Sequence, residues 1–199
     1  VILANPPFGS QSEKLNIQEN FPIKSGETAY LFLQLFIKKL KLGGRCGVVI
    51  KNTFLTNDDA KELRKQLINE CNLSMILDLP KGTFQGAGVE TVVLFFEKGK
   101  PTKKIWYYKL NPGRNLGKTN PLNESDLEDF IKLAKSQKLS DNSWSIDIEE
   151  INKETFDLGV SNPNITEEID KRTPEEIISE IEELDTQNRI IIKKIKSLL

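Results

Sequence analysis

The sequence contains no histidine, and that absence removes whole classes of chemistry. Neither a Ser-His-Asp triad, nor a Cys-His pair, nor a histidine-bearing zinc site can be assembled from it. Cysteine is nearly as scarce. Cys46 and Cys71 are the only two. They show no CxxC spacing and fall in an apolar strand-like run and at a helix end, so they read as reduced structural thiols of a cytosolic protein. No run of about eighteen apolar residues offers a membrane span. There is no signal peptide and no initiator methionine, and the first residue already lies inside an apparent strand. The chain is therefore expected to be a fragment lacking its upstream part. Charge of one sign is missing too: 28 basic against 29 acidic residues leave a net charge of -1. No bulk basic field would hold nucleic acid, so a partner or an upstream segment must supply such affinity.

What is present begins with "VILANPPFGS". Val1 to Ala4 read as a buried strand, ended at Asn5 by Pro6 and Pro7, which lack N–H donors and fix their own φ. The result is a stiff corner at the C-terminal end of a strand, where ligands bind in open α/β sheets. A long polar loop follows from Gly9 to Glu27, placed as a lid on that corner. "TAYLFLQLFIKKLKLGG" predicts a helix stopped by glycines, "RCGVVI" a buried strand, and "DDAKELRKQLINEC" a helix capped by Asn57 or Asp58 with Leu63, Leu67 and Ile68 inward. "LSMILDLP" and "VETVVLFFEK" are strands joined by a connection too short for a crossover helix, hence antiparallel neighbours. "KKIWYYKL" reads as an edge strand with alternate rings inward. The alternation predicts an α/β fold, the second half of a doubly wound sheet.

Beyond Leu110 the pattern weakens. Residues 111–172 are expected to be a linker with a small helical and irregular segment, including the short helix of "ESDLEDFIKLAKSQ" and the irregular "FDLGVSNPN". From 173 to 199 a different pattern takes over. Ile177, Ile181, Leu184, Asn188, Ile191, Ile195 and Leu198 recur at alternating spacings of four and three, a heptad seam in which a polar Asn188 would select register or partner. Thr173, Pro174 and Glu176 form its start signal.

The proline corner suits one kind of reaction. An exocyclic amine is a poor nucleophile while its lone pair is delocalised into an aromatic base, until acceptors aimed at its two N–H bonds draw it toward tetrahedral geometry. The side-chain carbonyl of Asn5 and the main-chain carbonyl of Pro6, held outward by the Pro6-Pro7 pair, are such acceptors. Phe8 could stack on a flipped base. This chemistry needs no histidine.

The tetrad "NPPF" resembles the catalytic motif of S-adenosylmethionine-dependent amino-methyltransferases. The blocks "GETAYLFLQLFIKKLKLGGRCGVVI", "LPKGTFQGAGVETVVLFFEKGKPTKKIWYY" and "FDLGVSNPN" extend the resemblance to the modification subunit of type I restriction-modification systems, an adenine-N6 DNA methyltransferase. It covers residues 1 to about 164. It implies that 1–110 is the C-terminal half of a Rossmann-like methyltransferase sheet followed by a C-terminal helical segment. It further implies that S-adenosyl-L-methionine is the cofactor, and that Asn5, Pro6, Pro7 and Phe8 are catalytic, with Asn5 also touching the cofactor. The partners it implies are DNA and the specificity and restriction subunits, in the cytoplasm and with no membrane, and the 173–199 helix would serve subunit interaction or pairing with a second copy. The family's glycine-rich cofactor motif lies upstream and is absent here, so the chain alone is expected to be inactive. Many relatives carry proline after the strand ending at Ile50, where this chain has Lys51 and Asn52. Alternatives are an RNA guanine-N2 or protein glutamine methyltransferase with the same tetrad, or a non-catalytic interaction fragment.

Other features read as structural. Gly82, Gly86 and Gly88 bend a hairpin connection rather than cradle phosphate. Glu27 and Asp78 border the corner but are expected to be solvated, at a loop and a strand end. Trp106, Tyr107 and Tyr108 are expected to pack the edge strand rather than stack on nucleic acid.

Overall fold

The computed structural model describes residues 1–9, 21–84, 88–164 and 173–197. The opening apolar run forms β1 (Ile2–Ala4), and the helix stopped by the glycines forms α1 (Thr28–Lys39). They are followed by β2 (Arg45–Lys51), α2 (Lys61–Glu70), β3 (Cys71–Leu79), β4 (Thr91–Lys98) and β5 (Lys104–Lys109). α3 (Glu128–Ala134) and β6 (Ser143–Asp147) follow. The strands make one mixed sheet in the order β1-β2-β4-β3-β5-β6. β1 is parallel to β2 and β3 to β5, whereas β4 runs antiparallel between β2 and β3. The expected α/β fold and antiparallel β3–β4 pair are thus present.

Register decides where chemistry can gather. Lys51 at the end of β2 and Leu79 at the end of β3 both face Thr91, the first residue of β4, and Asp78 faces Lys109 of β5. The carboxyl ends of β2, β3 and β5 therefore share one rim with the start of β4, and β1, parallel to β2, delivers Asn5 there. One sheet face packs on α1 and α2 through Tyr30, Leu33, Ile37, Leu63 and Leu67, all nearly or fully buried, with the fully buried Val48 and Ile50 beneath. Over β3 and β5 the other face packs on α3, through Leu77, Trp106, Tyr108, Phe130 and Leu133.

Three sequence expectations are corrected. β5 is not an edge strand: β6 pairs antiparallel outside it, from within the segment 111–172 expected to be linker and irregular structure. Consequently Trp106, Tyr107 and Tyr108 are all buried rather than alternately so. Tyr107 stacks on Trp144 of β6 (centroids 5.3 Å apart, planes 8° apart) and Trp106 on Phe130 (6.0 Å, 25°). Thirdly, neither Asn57 nor Asp58 caps α2 through its side chain, because a 3-10 turn (Asp58–Ala60) intervenes.

That turn is held from inside by a residue the apolar pattern concealed. Arg64 of α2 is fully buried. It donates to the carbonyls of Phe54 (2.8 Å), Asn57 (2.7 Å), Thr155 (2.9 Å) and Phe156 (2.6 Å). Burial lowers its pKa. Satisfying the guanidinium with carbonyls lets a charged group lie in the core.

The chain divides into units Val1–Ile165 and Thr166–Leu199. The described part of the second is α4 (Pro174–Lys196), started by the expected capping box, in which Glu176 N–H donates to Thr173 Oγ1 (3.2 Å) and Thr173 N–H to Glu176 Oε2 (2.7 Å). Its seam residues Ile177, Ile181, Leu184, Ile191 and Ile195 are exposed, as are Ile178, Ile190 and Ile192. Leu198, the last expected seam residue, lies outside the described residues. No helix among the described residues is long and apolar enough to cross a membrane.

Candidate active site

At the end of β1 the chain does what two prolines dictate: Asn5 is exposed, Pro6 buried, Pro7 exposed and Phe8 partly buried. Phe8 leans on the core beneath α1 and meets Phe84 edge to face, with centroids 6.3 Å apart and planes at 76°. Among the described residues, neither the Asn5 amide nor the Pro6 carbonyl has a hydrogen-bond partner. Among the described residues, a side-chain amide and a main-chain carbonyl thus lie at this corner without partners, next in sequence to the Phe8 ring.

Phe84 ends the described first part of the β3–β4 connection, residues 80–84. Gly82 adopts φ +85°, and a Cβ there would lie 2.1 Å from the carbonyl oxygen of Leu116. Only glycine allows that approach. Gly88 has φ +60°, whereas Gly86 lies outside the described residues. The hairpin-connection role expected of these glycines therefore holds at Gly82, and Phe84 is the neighbour of Phe8 that the sequence did not single out.

Glu27 is not the solvated loop residue expected from sequence. Its Oε1 accepts from Gly9 N–H (2.8 Å), its Oε2 from Lys51 Nζ (2.7 Å), and the next residue, Thr28, donates its N–H to the carbonyl of Gly9 (3.1 Å). The end of the corner, the start of α1 and the end of β2 are joined there. Residues 10–20 of the expected lid lie outside the described residues. At the lid's far end, Ile23 exchanges hydrogen bonds with Gln34 of α1, N–H to Oε1 at 3.2 Å and Nε2 to carbonyl at 2.8 Å.

Asp78 is also less solvated than expected. Burial pushes its carboxyl up to about 6, with Lys109 opposing the rise and Glu90 adding to it. It lines a cleft of about 250 Å³ with Asn52, Thr56, Lys109, Trp144 and Ser161. The "FDLGVSNPN" segment closes one side of this cleft, anchored by Leu158 N–H on Leu55 O (2.9 Å) and Tyr107 Oη on Leu158 O (3.1 Å). Among the described residues no three cysteines, aspartates or glutamates are grouped as a metal ion would require.

A model of the family described as N-6 DNA Methylase matches residues 1–172. The methylase subunit of the type I restriction enzyme EcoEI of Escherichia coli is 36% identical over 219 residues, covering 96% of this chain and 43% of that protein. The EcoKI methylase subunit of Escherichia coli strain K12 is 33% identical over 144 residues, covering 67% and 27%. A chain solved in a structural study of complex assembly and conformational transition of the type I R-M system superposes with a TM-score of 0.76 at 35% identity, covering 100% of this chain and 45% of that one. The crystal structure of the EcoKI M protein superposes with a TM-score of 0.69 at 26% identity, covering 80% and 42%. The chain thus spans less than half the length of these relatives.

Proposed function

The chain belongs to the N-6 DNA methylase family, and from that premise we propose that it carries the methyl-transfer corner of an adenine-N6 DNA methyltransferase, the modification subunit of a type I restriction-modification system. The observation that carries this reading is the exposed Asn5 amide beside the Pro6 carbonyl, both without partners among the described residues.

Asn5 Oδ1 accepts one N–H of the adenine amine and the Pro6 carbonyl accepts the other. With both N–H bonds directed at fixed acceptors, the nitrogen lone pair turns out of conjugation with the ring and becomes available for attack. The rigidity of Pro6-Pro7 keeps the two acceptors in place before the base arrives, so little reorganisation is needed at the moment of reaction. Phe8 offers a face to the flipped base, and Phe84, edge-on to Phe8, backs that ring and is a second aromatic surface for the same base. S-adenosyl-L-methionine, when bound, would supply an electrophilic methyl group. The amide of Asn5, without a partner among the described residues, fits a role in contacting that cofactor as well as the base.

Residues 1–110 supply the catalytic corner in this proposal, 111–172 brace the rim, and 173–199 dock to other subunits. The exposed aliphatic stripe of α4 suits a helix of the specificity subunit, with DNA and the restriction subunit as the other partners in a cytoplasmic complex. Because the chain spans less than half the length of its relatives, the activity in this proposal belongs to the full-length subunit.

The test is methylation of unmethylated DNA by the full-length subunit, with and without its specificity subunit. Methyl appearing on adenine N6 only in the assembled enzyme is the expected result. Transfer to RNA guanine or to a protein glutamine instead would overturn the substrate, and transfer to adenine undiminished in Asn5→Ala would overturn the acceptor role.

A further inference from the structure

The proline corner ends at a residue whose backbone cannot orient itself. Gly9 has φ +135° with open space where a Cβ would be, so local sterics leave it free and its contacts must fix it. Those contacts come from two consecutive residues. Glu27 Oε1 accepts the Gly9 N–H at 2.8 Å, and Thr28 N–H donates to the Gly9 carbonyl at 3.1 Å. The peptide planes on both sides of Gly9 are thereby pinned to the start of α1, and the plane shared with Phe8 fixes the direction in which the corner leaves Phe8.

The carboxylate doing this is itself held. Glu27 Oε2 meets Lys51 Nζ at 2.7 Å, with side-chain exposures of 16% and 21%. Both oxygens of Glu27 are therefore engaged in charge-assisted bonds in a largely water-excluded position, where such bonds are strongest. Only a side chain with a donor can make this pair with the Glu27 carboxylate. Lys51 is the last residue of β2, a rigid element adjoining β1, so the tie joins the corner to the sheet at a second point.

We propose that Glu27 is a positioning residue for methyl transfer, acting through Gly9 on the Asn5 to Phe8 corner, with Lys51 aiming its carboxylate. The assignment rests on the methyltransferase reading above, but the tie itself has a readout independent of activity. In the full-length subunit assembled with its specificity subunit, we would measure methylation kinetics, amide exchange of peptides containing Gly9, and the thermal melt, for wild type, Glu27→Ala, Glu27→Gln and Lys51→Met.

Glu27→Ala should lower kcat by about tenfold or more, as small misplacements of reacting groups do, while KM for S-adenosylmethionine stays within about twofold. Exchange at Gly9 should accelerate, since its N–H loses its acceptor. Glu27→Gln keeps an acceptor for Gly9 and should recover kcat to within about threefold of wild type, and Lys51→Met should cost only a few-fold. Wild-type kcat in Glu27→Ala, or Glu27→Gln no better than Glu27→Ala at an unchanged melt, would overturn the proposal. If Glu27→Ala fails to fold, Glu27→Gln decides alone: a native melt with kcat below about a tenth of wild type overturns it. Absence of methyl transfer by the wild type would sink the methyltransferase reading instead. The exchange arm would still judge the tie, with unchanged Gly9 exchange in Glu27→Ala counting against it and faster exchange supporting it.

Discussion

The sheet unit and helix α4 are both rich in aliphatic side chains, yet they dispose of them in opposite ways. In the first, Leu33, Val48, Ile50, Leu63, Leu67 and Leu94 are fully buried, and even a guanidinium, that of Arg64, is fully enclosed, held by four hydrogen bonds to carbonyls. In the second, every described residue of the helix is exposed, including eight large aliphatics. The contrast teaches that patterning alone does not bring about burial. A two-faced sheet has layers to close upon it, whereas one amphipathic helix has a stripe and needs a second surface from elsewhere.

Breaking the enclosed side of this comparison should have the largest effect. Replacing Arg64 by alanine takes the donor from the carbonyls of Phe54, Thr155 and Phe156 and opens a void, so the sheet unit should lose about 4 kcal/mol in urea unfolding. A loss below about 1 kcal/mol would mean that water replaces the guanidinium and the site is not truly closed. The exposed corner should behave the other way. Asn5→Ala should cut methyl transfer by about a hundredfold, or 2.7 kcal/mol of barrier, with stability changed by less than about 0.5 kcal/mol. A comparable loss of stability would mark Asn5 as structural.

Asp78 lies between the two extremes, and its effect should be smaller. Its folded value is raised from 3.8 to about 6. The neutral form is the one the fold prefers, so the contribution to stability is full below about pH 4 and is lost as pH rises through about 6. Asp78→Asn should therefore stabilise the sheet unit by about 1 kcal/mol at pH 8, discounted for partial exposure, and by almost nothing at pH 4. A benefit equal at both pH values would assign the gain to packing. Smallest in stability should be Ile181→Asp with Leu184→Asp on α4: both sites are exposed, so the melt should move by less than about 0.5 kcal/mol. The same pair should abolish co-purification with the specificity subunit, and unchanged complex formation would remove α4 from assembly.

Much of this was legible in the residues. The strand-ending corner, the inward Leu63, Leu67 and Ile68, the β3–β4 pair and the α4 cap all follow from short-range rules of period, turn and cap. What escaped depends on partners distant in sequence. β6 offers only Trp144 and Ile146 as large apolar residues in five, too little for a pattern, and is recruited by the Tyr107 ring. Glu27 gains its role from Lys51, 24 residues away. A charged residue such as Arg64 is ordinarily solvent-facing, although its spacing of three and four to Leu67 and Ile68 sets it on the inner face. That spacing was the available signal.

The Arg64 clasp also has a history in time. Its carbonyl partners Phe54 and Asn57 lie 10 and 7 residues away, but Phe156 lies 92 away. As the chain leaves the ribosome, the near half of the clasp can form early, while the far half must wait until most of the sheet unit has been synthesised. Until then the donors at Nε and Nη2 lack the carbonyls of Phe156 and Thr155. Closing so long a loop costs little more than closing a moderate one, about 0.6 kcal/mol per doubling of length, but it slows the search. The arrival of Thr155 and Phe156 is thus what completes the clasp.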